Sequence, residues 1–274
     1  MTQISAAIPQ GPTNLTIRLL TALVGLPLLL ACVWFGGPAY VVLVGLAVLG
    51  GAWEFDRISA VTGGDVFRGA LYAGSLAYVI DAYFGSQFLP AILTATILLS
   101  FLWSVIRFEQ YGYGLGWAWT VGGTLYIGWL TSHYLGLREF TQGREWVLLA
   151  LLGTFLSDTA AYTVGRLGGK RPLSPRLSPT KTVEGAIGSL VFTTAGIPAL
   201  GSLLGLPVQP AFVLLGLAIS VAAQTGDLAE SMLKRVAGLK DVSSLVPGHG
   251  GLLDRMDSLV FVGPLVYYYV RWCV

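Results

Sequence analysis

Charged residues are scarce in this 274-residue chain, because Asp, Glu, Lys and Arg make up only 11 % of it, against about 25 % in soluble domains. Hydrophobic residues make up 54 %, and the mean hydropathy is +0.72. This composition excludes an ordinary soluble domain and indicates an integral membrane protein. We therefore expect membrane lipids among its partners, and no nucleic acid.

Histidine and cysteine are also scarce, with two of each. Only His133 and His249 are present, and neither Cys32 nor Cys273 lies near a cluster of acids. Metal sites built on thiolate and imidazole ligands are therefore disfavoured, and a catalytic triad lacks parts. The cysteines lie near the outer ends of the first and last apolar runs, where a disulfide is conceivable, but two packed free thiols are favoured.

Long apolar runs fill most of the chain, and several approach the ~20 residues that a membrane-spanning helix needs. We predict an all-α integral membrane protein with about nine spans, at residues 19–36, 38–54, 69–85, 88–106, 117–135, 146–165, 185–205, 209–227 and 256–273. Five spans belong to an amino-terminal region, 1–145. Four belong to a carboxyl-terminal region, 146–274, which holds the dense polar clusters and should contain a polar catalytic cavity facing the cytoplasm.

The cations are unevenly distributed over the loops between these spans. With nine spans, thirteen of the 16 Lys and Arg residues fall on the side of the amino terminus, and only Arg138, Arg144 and Arg271 fall opposite. Lys and Arg in short loops are retained in the cytoplasm, so we predict a cytoplasmic amino terminus and active site in the cell's inner or plasma membrane. Residues 1–17 contain no Lys or Arg, which favours a polar tail over a signal peptide.

The first polar cluster, residues 157–185, begins inside an apolar run. Asp158 would be costly there without a cation, a metal or a water-filled cavity, so it is a site candidate. The basic loop 166–184 contains two adjacent glycines and three prolines, which exclude a regular helix. Retention in the cytoplasm could explain its charge, but the SPTKT stretch and Glu184 lie at a helix start, a position that favours anions and that hydroxyls can cap. Candidate substrate-binding residues are Arg166, Lys170, Arg176, Ser178, Thr182 and Glu184, and Lys181 is a candidate catalytic residue.

The second polar cluster runs from Asp227 to Asp257 and includes the loop 228–255. Asp227, Glu230, Ser231 and Lys234 are spaced to share one helical face, although Glu230 and Lys234 could simply form an i,i+4 pair on an interfacial helix. The PGHGG turn permits close backbone approach to a phosphate chain. Candidate binding residues here are Ser231, Arg235, Lys240, Asp241, His249, Gly250, Gly251 and Arg255, and Asp227, Lys234 and Asp254 are candidate catalytic residues.

The acids around the last span suit a magnesium site. Asp254 and Asp257 are spaced i,i+3 and so share a helical face. Mg²⁺ is usually held by one or two carboxylates together with substrate phosphates. We predict that Asp227, Asp254, Asp257 and Asp158 hold Mg²⁺, with a second cation left open. The residues alone thus indicate a Mg²⁺-dependent site for a polyanionic phosphate substrate, and a lipid substrate would explain its place in a membrane.

The pattern SxxKRx₄KDx₅PGHGGxxDRxD, which runs from Ser231 to Asp257, resembles the signature of the phosphatidate cytidylyltransferases, or CDP-diacylglycerol synthases. Residues 158–166, 178–185 and 226–231 match the same family in order. The resemblance implies a homodimeric, all-helical, Mg²⁺-dependent nucleotidyltransferase that converts CTP and phosphatidate to CDP-diacylglycerol and pyrophosphate in phospholipid biosynthesis. Phosphatidate is already an anionic nucleophile, so the reaction needs positioning and charge neutralisation more than a general base.

Two other functions stay open at the level of sequence. An ion-coupled transporter also places Asp158, Asp227 and Asp81 within apolar helices, but it does not require the loop cations or the glycine-rich turn. A CTP-dependent transferase that acts on another membrane lipid phosphate is chemically closer. Asp81 itself receives no assigned role.

Overall fold

A computed structural model of the chain describes residues 15–111 and 114–274, and most of them are helical. The α-helices are α1 (Leu15–Phe35), α2 (Gly37–Val61), α3 (Arg68–Tyr83), α4 (Leu89–Tyr111), α5 (Gly116–Gly123), α6 (Leu130–Arg138), α7 (Gly143–Gly168), α8 (Val183–Leu203), α9 (Ala211–Val236) and α10 (Leu253–Cys273). A π-helical turn, Thr124–Trp129, joins α5 directly to α6. Two short antiparallel strands, β1 (Pro172–Ser174) and β2 (Ser178–Thr182), lie between α7 and α8, with Pro172 opposite Thr182.

Six of the described helices are long and apolar enough to cross a membrane, namely α1, α2, α4, α7, α8 and α9. The helical membrane protein predicted from the composition is therefore confirmed at this level. The other three predicted spans also fall on helical chain. They correspond to α3, to the rod formed by α5, the π-helical turn and α6, and to α10. Helix α3 has only 16 residues, and α10 carries charges at both ends. The count of nine spans stays a prediction.

Small residues allow α7, α8 and α9 to pack closely. A Cβ atom at Gly216 of α9 would lie 2.8 Å from the Thr193 carbonyl oxygen of α8, so only glycine permits this approach. The hydroxyls of Ser157, Ser189 and Ser220 form a buried chain across the three helices, with 2.8 Å between successive oxygens. Close contact through small residues, reinforced by hydroxyl hydrogen bonds, is typical of helices that pack within a membrane.

The amino-terminal helices share their core with the carboxyl-terminal ones. The Tyr134 hydroxyl of α6 donates to the Leu259 carbonyl of α10 at 3.1 Å. A Cβ atom at Gly263 of α10 would lie 2.5 Å from the Tyr134 ring, so α10 presses directly against α6. The division at residue 146 stays a prediction about function, because buried residues on both sides of it form one hydrophobic cluster.

Both predicted basic loops lie at the same end of the helix bundle. Arg235, in the last turn of α9, donates through Nε to the Leu177 carbonyl between β1 and β2 at 3.1 Å. The start of α1 lies there too, because Arg18 Nε donates to the Gly248 carbonyl at 2.8 Å. At the other end, Arg138 Nε donates to the carbonyl of Val33 at 3.2 Å. This separation agrees with the predicted topology, whose orientation in a membrane stays a prediction.

Candidate functional site

A cavity of about 730 Å³ opens where the ends of α7 and α9 meet the starts of α8 and α10. Of the 20 site residues predicted from the sequence, twelve line this cavity: Asp158, Arg166, Lys181, Thr182, Asp227, Lys234, Asp241, His249, Gly250, Asp254, Arg255 and Asp257. The lining includes every predicted catalytic and metal-binding residue. The structure therefore brings together, from separate segments of the chain, the charged groups on which the prediction depends.

Lys234 forms a bridge between two carboxylates from neighbouring helices. Its Nζ lies 2.7 Å from Glu230 Oε2, one turn earlier in α9, and it also donates to Asp254 Oδ1 in the first turn of α10. Glu230 is only 1 % exposed. Glu230 and Lys234 do form the i,i+4 pair of that alternative, but Glu230 is buried and Lys234 also contacts a third group, Asp254.

A second lysine pairs with a group of three aspartates. Lys181 in β2 forms an ion pair with Asp227 in α9. Asp158 from α7 and Asp257 from α10 lie close enough for all three carboxylates to repel one another electrostatically. Within residues 15–111 and 114–274, neither Asp158 nor Asp257 takes part in an ion pair. One lysine beside three carboxylates leaves negative charge that a further cation would neutralise.

The donor set fits a hard cation that is bound together with phosphate. All candidate ligands are carboxylate oxygens, and Glu230 Oε1 is buried on the cavity wall without a hydrogen-bond partner among the described residues. In that part of the chain, no three His, Cys, Asp or Glu side chains are arranged to hold a metal by themselves. Mg²⁺ is commonly held by one or two carboxylates plus substrate phosphates. The arrangement therefore suits a metal that shares its ligands with a nucleotide, rather than a closed protein site.

Glu54 of α2 holds the start of α10 in place. It is fully buried, and its carboxylate accepts hydrogen bonds from the backbone N–H groups of Leu252 at 2.9 Å and Leu253 at 2.5 Å. The Ser243 hydroxyl donates to the same carboxylate. A carboxylate stabilises a helix start because it satisfies free N–H groups and complements the helix dipole. Glu54 thereby fixes the helix that carries Asp254.

Glu54 is absent from the sequence-based site candidates, and the reason is distance along the chain. Its partner Leu252 lies 198 residues away, so no local pattern connects the two. The available signal is an acid near the end of an apolar run, which is costly unless it is compensated. Gly251 belongs to the same arrangement, because a Cβ atom there would lie 3.0 Å from Glu54 Oε1.

The glycine-rich turn is shaped by Arg255. The Arg255 guanidinium donates to the His249 carbonyl through Nε at 3.1 Å and Nη2 at 2.7 Å. Gly248 and Gly250 have φ of 74° and 85°, the left-handed region that glycine adopts without strain. The Val246 N–H donates to the Gly250 carbonyl at 2.9 Å and closes the turn. Arg255 therefore organises the turn in addition to lining the cavity.

The basic loop is organised by two polar residues at the start of α8. Thr182 accepts a hydrogen bond from the Gly185 N–H at 3.1 Å and so caps the helix, as predicted from its hydroxyl. Glu184 accepts from the N–H groups of Lys170 at 3.0 Å and Arg171 at 3.2 Å, and from Arg171 Nε at 3.1 Å. Glu184 thus acts on the loop's own backbone and does not reach the cavity.

Eight predicted binding residues do not line the cavity: Lys170, Arg176, Ser178, Glu184, Ser231, Arg235, Lys240 and Gly251. Arg235 illustrates the reason, because its guanidinium donates to two backbone carbonyls, those of Leu177 and Leu239. A substrate contact by any of the eight stays a prediction. The cavity also has polar walls that are absent from the predicted site: Tyr162, Thr180, Gln224, Glu230 and Ser258.

Comparison with known proteins identifies relatives of the whole chain. Residues 16–273 match the Cytidylyltransferase family. The chain is 32 % identical over 265 residues to the phosphatidate cytidylyltransferase of Brucella suis, covering 94 % of this chain and 93 % of the other. It is 33 % identical over 259 residues to that of Pseudomonas aeruginosa, covering 90 % and 94 %. The match to that of Bacillus subtilis is 36 % identical over 179 residues, and spans 65 % of this chain but only 63 % of the relative.

Replacing Glu54 with Gln should destabilise the protein. The glutamine keeps the shape of the side chain but loses the charge, and its amide can turn a donor toward the backbone donors at the start of α10. We expect the free energy of unfolding to fall by about 1–3 kcal/mol. Thermal unfolding of the detergent-purified protein measures this, with Glu139→Gln as the control because Glu139 is exposed. Equal unfolding midpoints for the two variants would show that Glu54 does not hold α10.

Proposed function

The chain belongs to the cytidylyltransferase family, and on this premise we propose that it transfers the cytidylyl group of CTP to phosphatidate, giving CDP-diacylglycerol and pyrophosphate. One observation supports this proposal most directly. Lysines and carboxylates from α7, α9, α10 and β2 converge on a single cavity at one end of a membrane helix bundle. The relatives that match almost the whole chain carry the name of this activity.

The charges of the cavity suit two anionic substrates. The cations on its wall are Arg166, Lys181, Lys234 and Arg255. Lys181 and Lys234 are held by carboxylates in the structure, so each could turn to a phosphate oxygen if a bound cation took its place beside the carboxylate. The triphosphate of CTP and the phosphate of phosphatidate supply such oxygens. Lysine binds them as a compact charge that needs no fixed planar geometry.

The reaction is a displacement at the α-phosphorus of CTP. A phosphate oxygen of phosphatidate attacks this phosphorus, and the bond from the phosphorus to the oxygen bridging to the β-phosphate breaks. Pyrophosphate leaves with that electron pair. The nucleophile is already an anion, so no residue must remove a proton. The work of the protein is to hold two repelling anions in line and to stabilise the charge that develops on the phosphate oxygens.

We assign the metal ligands of this reaction to Asp227, Asp254, Asp257 and Asp158. A bound Mg²⁺ would neutralise phosphate charge and orient the triphosphate, and a second cation is compatible with the remaining carboxylate charge. Lys234 fixes the position of Asp254, and Lys181 fixes that of Asp227. These contacts hold the carboxylates in place before substrate arrives.

We also propose the finer arrangement in the membrane. A nine-span topology, which adds α3, the rod from α5 to α6, and α10 to the six apolar helices, is consistent with the two basic loops meeting at one end. The excess of cations at that end supports a cytoplasmic amino terminus and a cytoplasmic active site. The homodimer implied by the family resemblance belongs to the same proposal.

The ion-coupled transporter receives no support from the structure or from the relatives. Asp81, one of the acids that suggest it, accepts a hydrogen bond from the Phe88 N–H at 2.8 Å. It therefore holds the connection between α3 and α4, and it does not line the cavity with Asp158 and Asp227. A different lipid phosphate acceptor is also disfavoured, because the relatives above are named for phosphatidate.

Replacing Asp254 with Asn should remove most of the CTP-dependent turnover. The change leaves the side chain's size but removes a charge that balances Lys234 and would bind the metal. Removal of one such electrostatic group costs about 100-fold or more in rate. The measurement is CDP-diacylglycerol formation by the purified protein. Asp65→Asn is the matched control, because Asp65 pairs with Arg107 outside the cavity. Near-normal turnover of a folded Asp254→Asn protein would contradict the metal assignment.

Replacing Lys181 with Ala should raise the KM for CTP by about tenfold or more, as expected for loss of a charged hydrogen-bond partner of a phosphate. Asp227 also loses its cation, so the rate should fall as well. Steady-state kinetics at varied CTP separate the two effects. Arg271→Ala is the control, because Arg271 lies at the opposite end of α10 and donates to Tyr267. A KM unchanged from the control would remove Lys181 from the nucleotide site.

A further inference from the structure

An apolar groove of about 340 Å³ lies beside the polar cavity, between α2, α9 and the rod that begins with α5. Its walls include Phe55, Leu115, Trp119, Gly122, Tyr126 and Leu233, and none of the described residues that line it is charged. The ring centroids of Phe55 and Trp119 lie 5.6 Å apart, so its inner wall is made of packed aromatic side chains. Such a surface suits a hydrocarbon chain.

The groove and the polar cavity are built from adjacent residues of the same helices. In α9, Leu233 lines the groove and the next residue, Lys234, lines the cavity. In α2, Phe55 lines the groove and the preceding residue, Glu54, holds the start of α10. An amphiphile whose phosphate occupied the cavity would therefore find an apolar surface on the neighbouring face of the same helix.

Tyr126 lies on the boundary between the two. Its ring lines the groove and lies 6.4 Å from the Phe55 ring and 6.2 Å from the Phe261 ring, measured between centroids. Its hydroxyl is buried, interacts electrostatically with Asp257 and Glu230, and has no hydrogen-bond partner in the described part of the chain. Buried hydroxyls are normally satisfied, so this one is available to a polar group of a ligand. Tyr126 belongs to the π-helical turn, a distortion that is frequent at functional sites.

We propose that this groove binds an acyl chain of the lipid phosphate substrate, with the Tyr126 hydroxyl facing the ester region between chain and phosphate. The inference rests on the proposed function and adds to it a binding site for the apolar part of the lipid. Its chemistry follows from the neighbouring surfaces: a phosphate site, one unpartnered hydroxyl, and an uncharged aromatic groove occur in the order of phosphate, ester and hydrocarbon in a phospholipid.

Gly122 makes the groove testable. A Cβ atom at Gly122 would meet no atom within 4 Å, so a larger side chain there could fill part of the groove without a clash at its Cβ atom. Gly25 of α1 is also exposed, with nothing within 4 Å of its Cβ position, and it does not line the groove. Gly122→Leu and Gly25→Leu are therefore matched changes, alike in size and in helical setting.

The test compares kcat/KM for dioleoyl and dihexanoyl phosphatidate in detergent micelles, in the unchanged protein and the two variants. Gly122→Leu should lower the ratio of the long-chain to the short-chain value by about tenfold or more, since single methylene groups in an apolar pocket are already worth about 10-fold to 200-fold. Gly25→Leu should keep the ratio of the unchanged protein. An unchanged ratio in Gly122→Leu would overturn the proposal. If the unchanged protein modified neither lipid, the proposed function itself would fail.

Photolabelling tests the groove independently of turnover. A phosphatidate with a diazirine on one acyl chain should label residues 115–126, and the labelling should fall in Gly122→Leu but not in Gly25→Leu. Excess unlabelled phosphatidate should compete, whereas phosphatidylcholine should not. Labelling that both lipids displace equally would show general contact with the bilayer and would contradict a substrate site. Cross-links from this segment to a second copy of the chain, without lipid labelling, would also contradict it.

Discussion

Carboxylates placed among apolar helices must be neutralised, and the Lys234 bridge shows how this chain meets that requirement. An ionised side chain within a membrane costs a few kcal/mol when it stands alone. Lys234 contacts Glu230 on its own helix and Asp254 on the next one, so two acids share a single cation. The same contact fixes the start of α10 relative to α9. The shape of the cavity and the charge it presents therefore depend on one interaction.

The surrounding helices provide the fixed frame that this charged site needs. The serine chain and the glycine contacts of α7, α8 and α9 leave little freedom for those helices to slide. Glu54 fastens α10 from the amino-terminal half of the chain. Catalysis by positioning requires that the charged groups are held before substrate binds. The amino-terminal helices thus support the site through Glu54 and, under the proposed acyl groove, contribute Phe55 and Tyr126 to substrate recognition.

The sequence was sufficient for the features that local spacing determines. The helical stripe from Asp227 to Lys234 and the cap at Thr182 are set by residues a few positions apart. Asp227, Glu230 and Lys234 of the stripe line the cavity, Ser231 does not, and the cap is present. Glu54 and Tyr126 depend on partners far away in the chain, so no local pattern identifies what they contact. Counting cations also does not show which of them line the cavity. It cannot distinguish Lys181, which reaches the cavity, from Arg235, whose donors are taken by backbone carbonyls.

The most direct test of lipid cytidylyl transfer is a product measurement on the purified protein with CTP, phosphatidate and Mg²⁺, and with each omitted in turn. We expect pyrophosphate and CDP-diacylglycerol to form in equal amounts when all three are present. We expect neither product when any one is absent, because the nucleophile, the nucleotide and the neutralising cation are each required. Pyrophosphate release without phosphatidate, or CTP consumption without CDP-diacylglycerol, would contradict this function.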